Sequence, residues 1–193
     1  MSDREYYKKL RKKIKDVMTK SRYEHTLGVE FTAASLAMRY EVDIEKAELA
    51  GLLHDCAKCI SHQKRLTVCK KNHIEITKTE EENPVLLHAK VGAFYAGKKY
   101  GIYDEDIINA ILYHTTGRPD MGFLEKIIYV ADLTSEDREY PDVKEVRELA
   151  EKSLDKTCLR GLSFTIEDNA RKCRPIHIDT VKAYNYLAER INK

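Results

Sequence analysis

Glycine and proline are scarce, eight and four in a chain of 193 residues. A β-sandwich or barrel needs more turn punctuation than that, so the scarcity argues against an all-β fold. An excess of one charge is also lacking: 34 Lys and Arg stand against 32 Asp and Glu, for a formal charge of +2. So near a balance gives no electrostatic footprint for nucleic acid. No apolar run approaches the roughly 20 residues of a membrane span. The first residues lack the apolar stretch of a signal peptide. The five cysteines, Cys56, Cys59, Cys69, Cys158 and Cys173, are odd in number and scattered. That usage fits reduced thiols in a cytoplasmic protein rather than a disulfide framework.

What the chain has is helical periodicity. Its composition, 42% hydrophobic and 34% charged, suits a helix-rich, salt-laced surface around one core. Tyr7, Leu10, Ile14 and Val17 recur at helical spacing through the basic run at residues 8–13, which reads as the solvated face of an amphipathic helix. Leu27, Phe31, Ala34 and Met38 form the apolar stripe of a second helix over about 23–41. Asp43 is placed to cap a helix reaching about Ala57, and Ser61 a shorter one. Asn83-Pro84 reads as a cap followed by proline at the first helical position, with Gly101 as terminator. Asp104 opens a helix stopped at Gly117-Arg118-Pro119, and residues about 122–134 form the next. A long pattern runs from Val143 to about Cys173 with a break expected near Gly161, and Asp179 is placed to cap the last helix. No period-two strand pattern, repeat or low-complexity linker interrupts this. The expectation is one all-α domain over residues 1–193, a helical bundle with its core at about 20–135 and C-terminal helices 142–190 packed on it.

Histidine and aspartate placement carries the chemistry. His25, His54-Asp55, His88, His114 and Asp132 each follow or interrupt a helical apolar run. A titratable side chain there is costly to bury unless it is hydrogen-bonded or bound to a metal. One such histidine is more often a satisfied core residue than a ligand. Five such interruptions on successive helices fit side chains projecting into a shared core, as helical metal sites are built. Imidazole nitrogen with carboxylate oxygen suits iron, manganese, zinc or similar divalent metals. His62 and His73 lie in a polar stretch and read as surface residues. Cys56-Ala57-Lys58-Cys59 has no second ligand pair at zinc-site spacing and reads as chance.

The order His25, His54-Asp55, Asp132 resembles the H…HD…D signature of the HD superfamily. The local text is closest to its YqeK-like branch, the symmetrical bis(5′-nucleosyl)-tetraphosphatases. That resemblance rests on Arg22-Tyr23-Glu24-His25-Thr26-Leu27-Gly28-Val29, Leu52-Leu53-His54-Asp55-Cys56-Ala57-Lys58 and Glu82-Asn83-Pro84 with Leu87-His88. It extends through Ile111-Leu112-Tyr113-His114-Thr115-Thr116-Gly117-Arg118-Pro119 and Leu124–Asp132, and spans about residues 20–187.

The resemblance implies an HD-type helical bundle that hydrolyses diadenosine tetraphosphate symmetrically to two ADP, with metal-activated water attacking a central phosphate. His25, His54, Asp55 and Asp132 match metal ligands. His88 and His114 match positions that complete a second metal site or hold phosphate, although Thr115 stands where many dinuclear members have a second consecutive histidine. Iron is the implied metal, with manganese, zinc or nickel as alternatives. Asp55, Asp132, Lys58, His88 and His114 are the expected catalytic set. Arg22, His25, Lys58, His88, His114, Thr115, Thr116, Arg118, Asp132 and Arg138 are the expected nucleotide or phosphate contacts. His177, in a segment matching the family except at Ile178, is a candidate for the nucleotide side of the pocket. The aromatic residues are mostly tyrosines, any of which could stack on adenine, and the sequence does not choose among them. The expected partners are a dinucleoside polyphosphate and its ADP product, with neither nucleic acid nor membrane; a homodimer is compatible with the chain.

Two other classes stay open at this point. One is an HD phosphohydrolase for another nucleotide, a deoxynucleoside triphosphatase or cyclic-nucleotide phosphodiesterase. The other is a nucleotide-binding regulator without turnover. A helical adaptor would leave the histidine and aspartate set unexplained.

Overall fold

The computed structural model describes residues 3–191, which form α-helices and no strand. The helices are α1 (Asp3–Lys15), α2 (Lys20–Arg39), α3 (Ile44–Leu53), α4 (His62–Lys71), α5 (Lys78–Glu82), α6 (Leu87–Tyr100), α7 (Glu105–Tyr113), α8 (Phe123–Thr134), α9 (Val143–Ala150), α10 (Leu154–Arg171) and α11 (Ile178–Ile191). Among these residues no helix is long and apolar enough to cross a membrane.

Short polar side chains set many of the helix starts by accepting N–H groups that a first turn leaves free. Asp43 accepts the Lys46 N–H at 3.0 Å, and Asp104 accepts those of Asp106 and Ile107 at 3.0 and 3.2 Å. Gly101, at φ 73°, closes α6 in the left-handed conformation that glycine adopts without strain. Four expected boundaries fall elsewhere. α3 ends at Leu53 and not at about Ala57, with His54 as its C-cap. Asn83 closes the short helix α5, which opens on a Thr77–Glu80 capping box, so α6 begins only at Leu87. The C-terminal pattern breaks at residues 151–153, where the Ser153 hydroxyl accepts the Lys156 N–H, and not at Gly161. Asp179 lies inside the first turn of α11 instead of capping it.

α2 lies between α3 and α8, α7 packs on α3, α6 and α8, and α10 joins α8 to α9 and α11. The buried face of α2 is Val29, Ala33, Leu36 and Ala37, whereas Phe31 and Met38 of the expected stripe are 59% and 68% exposed. Close packing is the reason: small residues admit neighbouring helices that bulky ones would hold off. Val17 likewise falls past the end of α1 and is exposed, while Leu10 and Ile14 are buried.

Among the glycines the tightest approach to another segment's backbone is at Gly51 of α3, where a Cβ would stand 2.8 Å from Glu30 Cα. That neighbour is backbone and cannot rotate away. Gly51→Ala is therefore expected to lose roughly 1–3 kcal/mol net, despite the ~1 kcal/mol gain in helix propensity. Urea unfolding of the two proteins checks this; an equal or higher midpoint in the variant would show that α2 and α3 can spread apart freely.

Candidate metal centre

Helix ends orient most of the site. The last carbonyls of a helix have no partner within it, and two histidines placed just beyond α3 and α7 use them. His54 Nδ1 lies 2.6 Å from Gly51 O, and His114 Nδ1 lies 2.7 Å from Ile111 O. In the first turn of α6, His88 Nδ1 lies 2.5 Å from Val85 O. A carbonyl oxygen only accepts, so Nδ1 carries the proton in all three rings and Nε2 keeps a lone pair. His25 sits inside α2, where the carbonyls are already engaged. Its Nδ1 faces Asp137 Oδ2 at 2.8 Å instead.

The four Nε2 atoms meet around two carboxylates. His25 Nε2 is 3.0 Å from Asp132 Oδ1, and His54 Nε2 is 3.6 Å from Asp55 Oδ2. Asp55 Oδ1 lies 3.1 Å from His88 Nε2 and 3.7 Å from His114 Nε2. The His88 and His114 Nε2 atoms stand only 3.0 Å apart. Lone pairs facing lone pairs and carboxylates repel one another unless a cation or shared protons separate them. His25 Nε2, His54 Nε2 and Asp55 Oδ1 are also buried without a hydrogen-bond partner, a costly state for polar atoms. Three overlapping donor groups result, His25-His54-Asp55, His54-His114-Asp132 and Asp55-His88-His114, each with its atoms within 4.8 Å. Nitrogen and oxygen donors in this arrangement fit a divalent transition metal.

Electrostatics keep His54, His88 and the two carboxylates in their binding forms. Burial pushes the pKa of His54 from 6.5 down to about 4 against the pull of Asp55 and Asp132. Burial likewise takes His88 to about 4, against Asp55. Burial opposes ionisation of Asp55, but His54, His114 and His88 outweigh it and hold its pKa well below 3.8. The same contest at Asp132 is won by His25, His54 and Arg138. Near neutral pH His54 and His88 present bare imidazole nitrogens, and Asp55 and Asp132 ionised carboxylates, the forms that bind metal.

Cations border the cluster. Arg22 Nη1 donates to Asp55 Oδ2 at 3.0 Å, and Lys58 Nζ lies 3.1 Å from His88 Nε2. Arg138 holds Asp132 through its side chain and donates from Nε to its carbonyl at 2.7 Å. Thr115 Oγ1 is 3.1 Å from His114 Nε2 and 3.3 Å from His88 Nε2.

Three candidates are placed elsewhere. Arg118 is committed to buried Glu125, with bonds of 2.6 and 2.9 Å, and lines a separate cavity with Lys46 and Asp106. The structure thus sets this expected phosphate contact in an ion pair with Glu125. Thr116 turns its hydroxyl onto Gly117 O at 3.0 Å and stays in its own turn. His177 is buried 3.5 Å from Thr77 Oγ1 and 3.8 Å from Glu80 Oε1, tying the start of α11 to α5 and not to the six donors. His62 and His73 are exposed.

Sequence reasoning missed Asp137, Tyr140 and Phe164. A cavity of about 240 Å³ opens beside His114, Thr115, Asp132 and Arg138, and its far wall is Tyr140 with Phe164. These two rings meet edge-on at 5.9 Å, and the Arg160 guanidinium covers Phe164 at 4.4 Å. Gly161 lines the same wall, where a Cβ would stand 2.9 Å from the Tyr129 ring. The phase of α10 relative to Asp132 was the missing information, and periodicity alone does not supply it.

A helical scaffold that gathers a histidine, a His-Asp pair and a distant aspartate defines the HD-domain class of hydrolase. The HD domain profile matches residues 22–137. The symmetrical bis(5′-nucleosyl)-tetraphosphatase of Bacillus subtilis (strain 168) is 40% identical over 174 residues, covering 90% of this chain and 93% of that protein. The protein of the same name from Staphylococcus aureus is 35% identical over 190 residues, covering 95% and 96%. A crystal structure of a predicted HD superfamily hydrolase involved in NAD metabolism, from Clostridium acetobutylicum, superposes with a TM-score of 0.93 at 42% identity, covering 95% and 97%. The chain belongs to the HD-domain family and, within it, to the symmetrical bis(5′-nucleosyl)-tetraphosphatases.

Proposed function

We propose that this protein hydrolyses diadenosine tetraphosphate symmetrically to two ADP. The observation that carries the reading is the convergence of four Nε2 lone pairs on two carboxylates, with three of the donor atoms buried and unbonded. His25, His54, Asp55 and Asp132 would hold one divalent cation, and Asp55, His88 and His114 have the donors for a second; iron is the metal the family resemblance favours. When bound, such a cation polarises phosphoryl oxygens and makes water acidic enough to attack near neutral pH.

The chain's own groups do the rest. The ammonium of Lys58 and the guanidinium groups of Arg22 and Arg138 stand around the donors, where they can neutralise charge growing on phosphoryl oxygens. Thr115 donates a hydroxyl at the same edge. The Tyr140–Phe164 wall offers an apolar face to one adenine beside the phosphates. Water forms a P–O bond at a central phosphorus as that phosphorus loses its bridging oxygen. The bridging oxygen leaves with the other half, so each product is ADP. Thr115, which lines the cavity beside His114, would donate its hydroxyl to the departing oxygen, while His114, with its proton on Nδ1, would serve the second cation. The enzyme would work in the cytoplasm.

The test is anaerobic hydrolysis of diadenosine tetraphosphate by metal-reconstituted protein, with chromatographic separation of products and a chelated control. ADP as sole product, lost on chelation, is expected. ATP with AMP would overturn the symmetric geometry, and turnover confined to a deoxynucleoside triphosphate or a cyclic nucleotide would replace the substrate.

A further inference from the structure

Three of the four histidines take their orientation from the main chain, because each has a backbone carbonyl three residues before it within reach of Nδ1. His25 has no such neighbour. We infer that Asp137 is the positioning residue for His25: its carboxylate fixes the ring with Nδ1–H outward and Nε2 aimed at the donor cluster, so that metal affinity depends on it. The inference rests on the metal-centre reading above.

Asp137 is built into this place from both sides. Its Oδ2 is 2.8 Å from His25 Nδ1, and its other oxygen, Oδ1, accepts the Ser135 hydroxyl at 2.7 Å. The turn that carries it is pinned by one guanidinium. Arg147 Nε donates to Thr134 O at 2.9 Å, while Nη2 reaches Ser135 O at 2.7 Å, Arg138 O at 3.1 Å and Glu136 O at 3.2 Å. On the α2 side, Gly28 lies one turn beyond His25, where even a Cβ would stand 3.6 Å from Asp137 Oδ1. A longer side chain at residue 28 would fill the space the carboxylate occupies. The same turn thus presents Asp137 to His25 and Arg138 to Asp132, bracing one histidine and one aspartate of the site.

A carboxylate on the distal nitrogen of a ligating histidine fixes its tautomer and raises its basicity, and losing it costs roughly 10–100-fold in metal affinity. Asparagine keeps an oxygen able to accept from Nδ1 but lacks the charge.

The experiment titrates Mn(II) into the full-length, metal-stripped protein and reads free Mn(II) by electron paramagnetic resonance. Wild type, Asp137→Ala and Asp137→Asn are compared, and thermal unfolding of each metal-free form is followed by circular dichroism. Expected are a dissociation constant for Asp137→Ala weaker by roughly 10–100-fold, an intermediate value for Asp137→Asn, and unfolding midpoints that do not follow that order. Equal affinity in all three overturns the inference while leaving the metal centre intact. Asp137→Asn as weak as Asp137→Ala would assign the effect to charge alone and overturn the orienting role. A wild type that takes up no Mn(II) would remove the metal centre and this inference with it. Should Asp137→Ala fail to fold, Asp137→Ser takes its place beside Asp137→Asn, and the same outcomes decide.

Discussion

Asp55→Ala is expected to hydrolyse diadenosine tetraphosphate roughly 10³-fold more slowly than the wild type, because a bound cation contributes several kcal/mol to a phosphoryl transition state and each ~1.4 kcal/mol is tenfold in rate. Asp55 belongs to two of the three overlapping donor groups, joining His25 and His54 on one side to His88 and His114 on the other. No other residue of the site spans both in that way. Its loss would also leave Arg22 and Lys58, 3.0 and 3.7 Å away, without their anion. Arg22 keeps 31% of its side chain exposed and can turn to water, so the fold is expected to survive. Asp55→Asn keeps the shape and one neutral oxygen donor, and should fall between the two. Rates are to be compared at measured metal content and with circular dichroism of each variant. A folded Asp55→Ala protein within tenfold of the wild-type rate would show that the His-Asp pair is not central to the chemistry.

The site residues that stood out in the sequence did so through contrast. His54-Asp55 after Leu52-Leu53, and Asp132 after Val130-Ala131, are polar interruptions in runs that bury completely. The cost of burying an unpaired titratable group made them conspicuous. Residues that act on those groups from outside had no such contrast. Asp137 sits in the run Ser135-Glu136-Asp137-Arg138-Glu139, where one acid looks like another. Only the turn after α8 makes it the partner of His25. Arg118 shows the converse case. It was conspicuous in a segment rich in turn signals, but Glu125 in the next helix claims both faces of its fork. The all-α class was legible because scarce glycine and 3.6-residue patterning agree. The phase of α2 was not: its buried face is Val29, Ala33, Leu36 and Ala37, two of them alanines that carry little bulk, so reading by bulk chose Phe31 and Met38, which are exposed.

Metal-free protein is expected to lose stability steeply as pH falls from about 6.5 toward 4, losing roughly 5 kcal/mol by about pH 4.5. The sign follows from His54 and His88, whose folded pKa is depressed from 6.5 to about 4 by burial. Between those values the unfolded chain binds two protons that the native state refuses, so stability rises with pH and is lost as pH drops through this window. Each histidine contributes ~2–3 kcal/mol at the acid end, since one pKa unit is worth about 1.4 kcal/mol. Asp55 and Asp132, held well below 3.8, add a further loss only at more acid pH. Glu30 works the other way. Burial raises its pKa against the pull of Arg11, so the native state gains a proton there earlier than the unfolded chain does. One such group offsets only part of two histidines. Against a typical net stability of roughly 5–15 kcal/mol, the remainder decides whether the metal-free protein stays folded. Urea unfolding at several pH values, with chelator present, measures the slope. His88→Asn should remove about half of it, and a saturating divalent metal at pH 6 should raise the midpoint by mass action. A flat profile between pH 6.5 and 4.5 in the chelated wild type would mean that these two rings accept protons in the folded state, and that the donor cluster is not held as bare nitrogen.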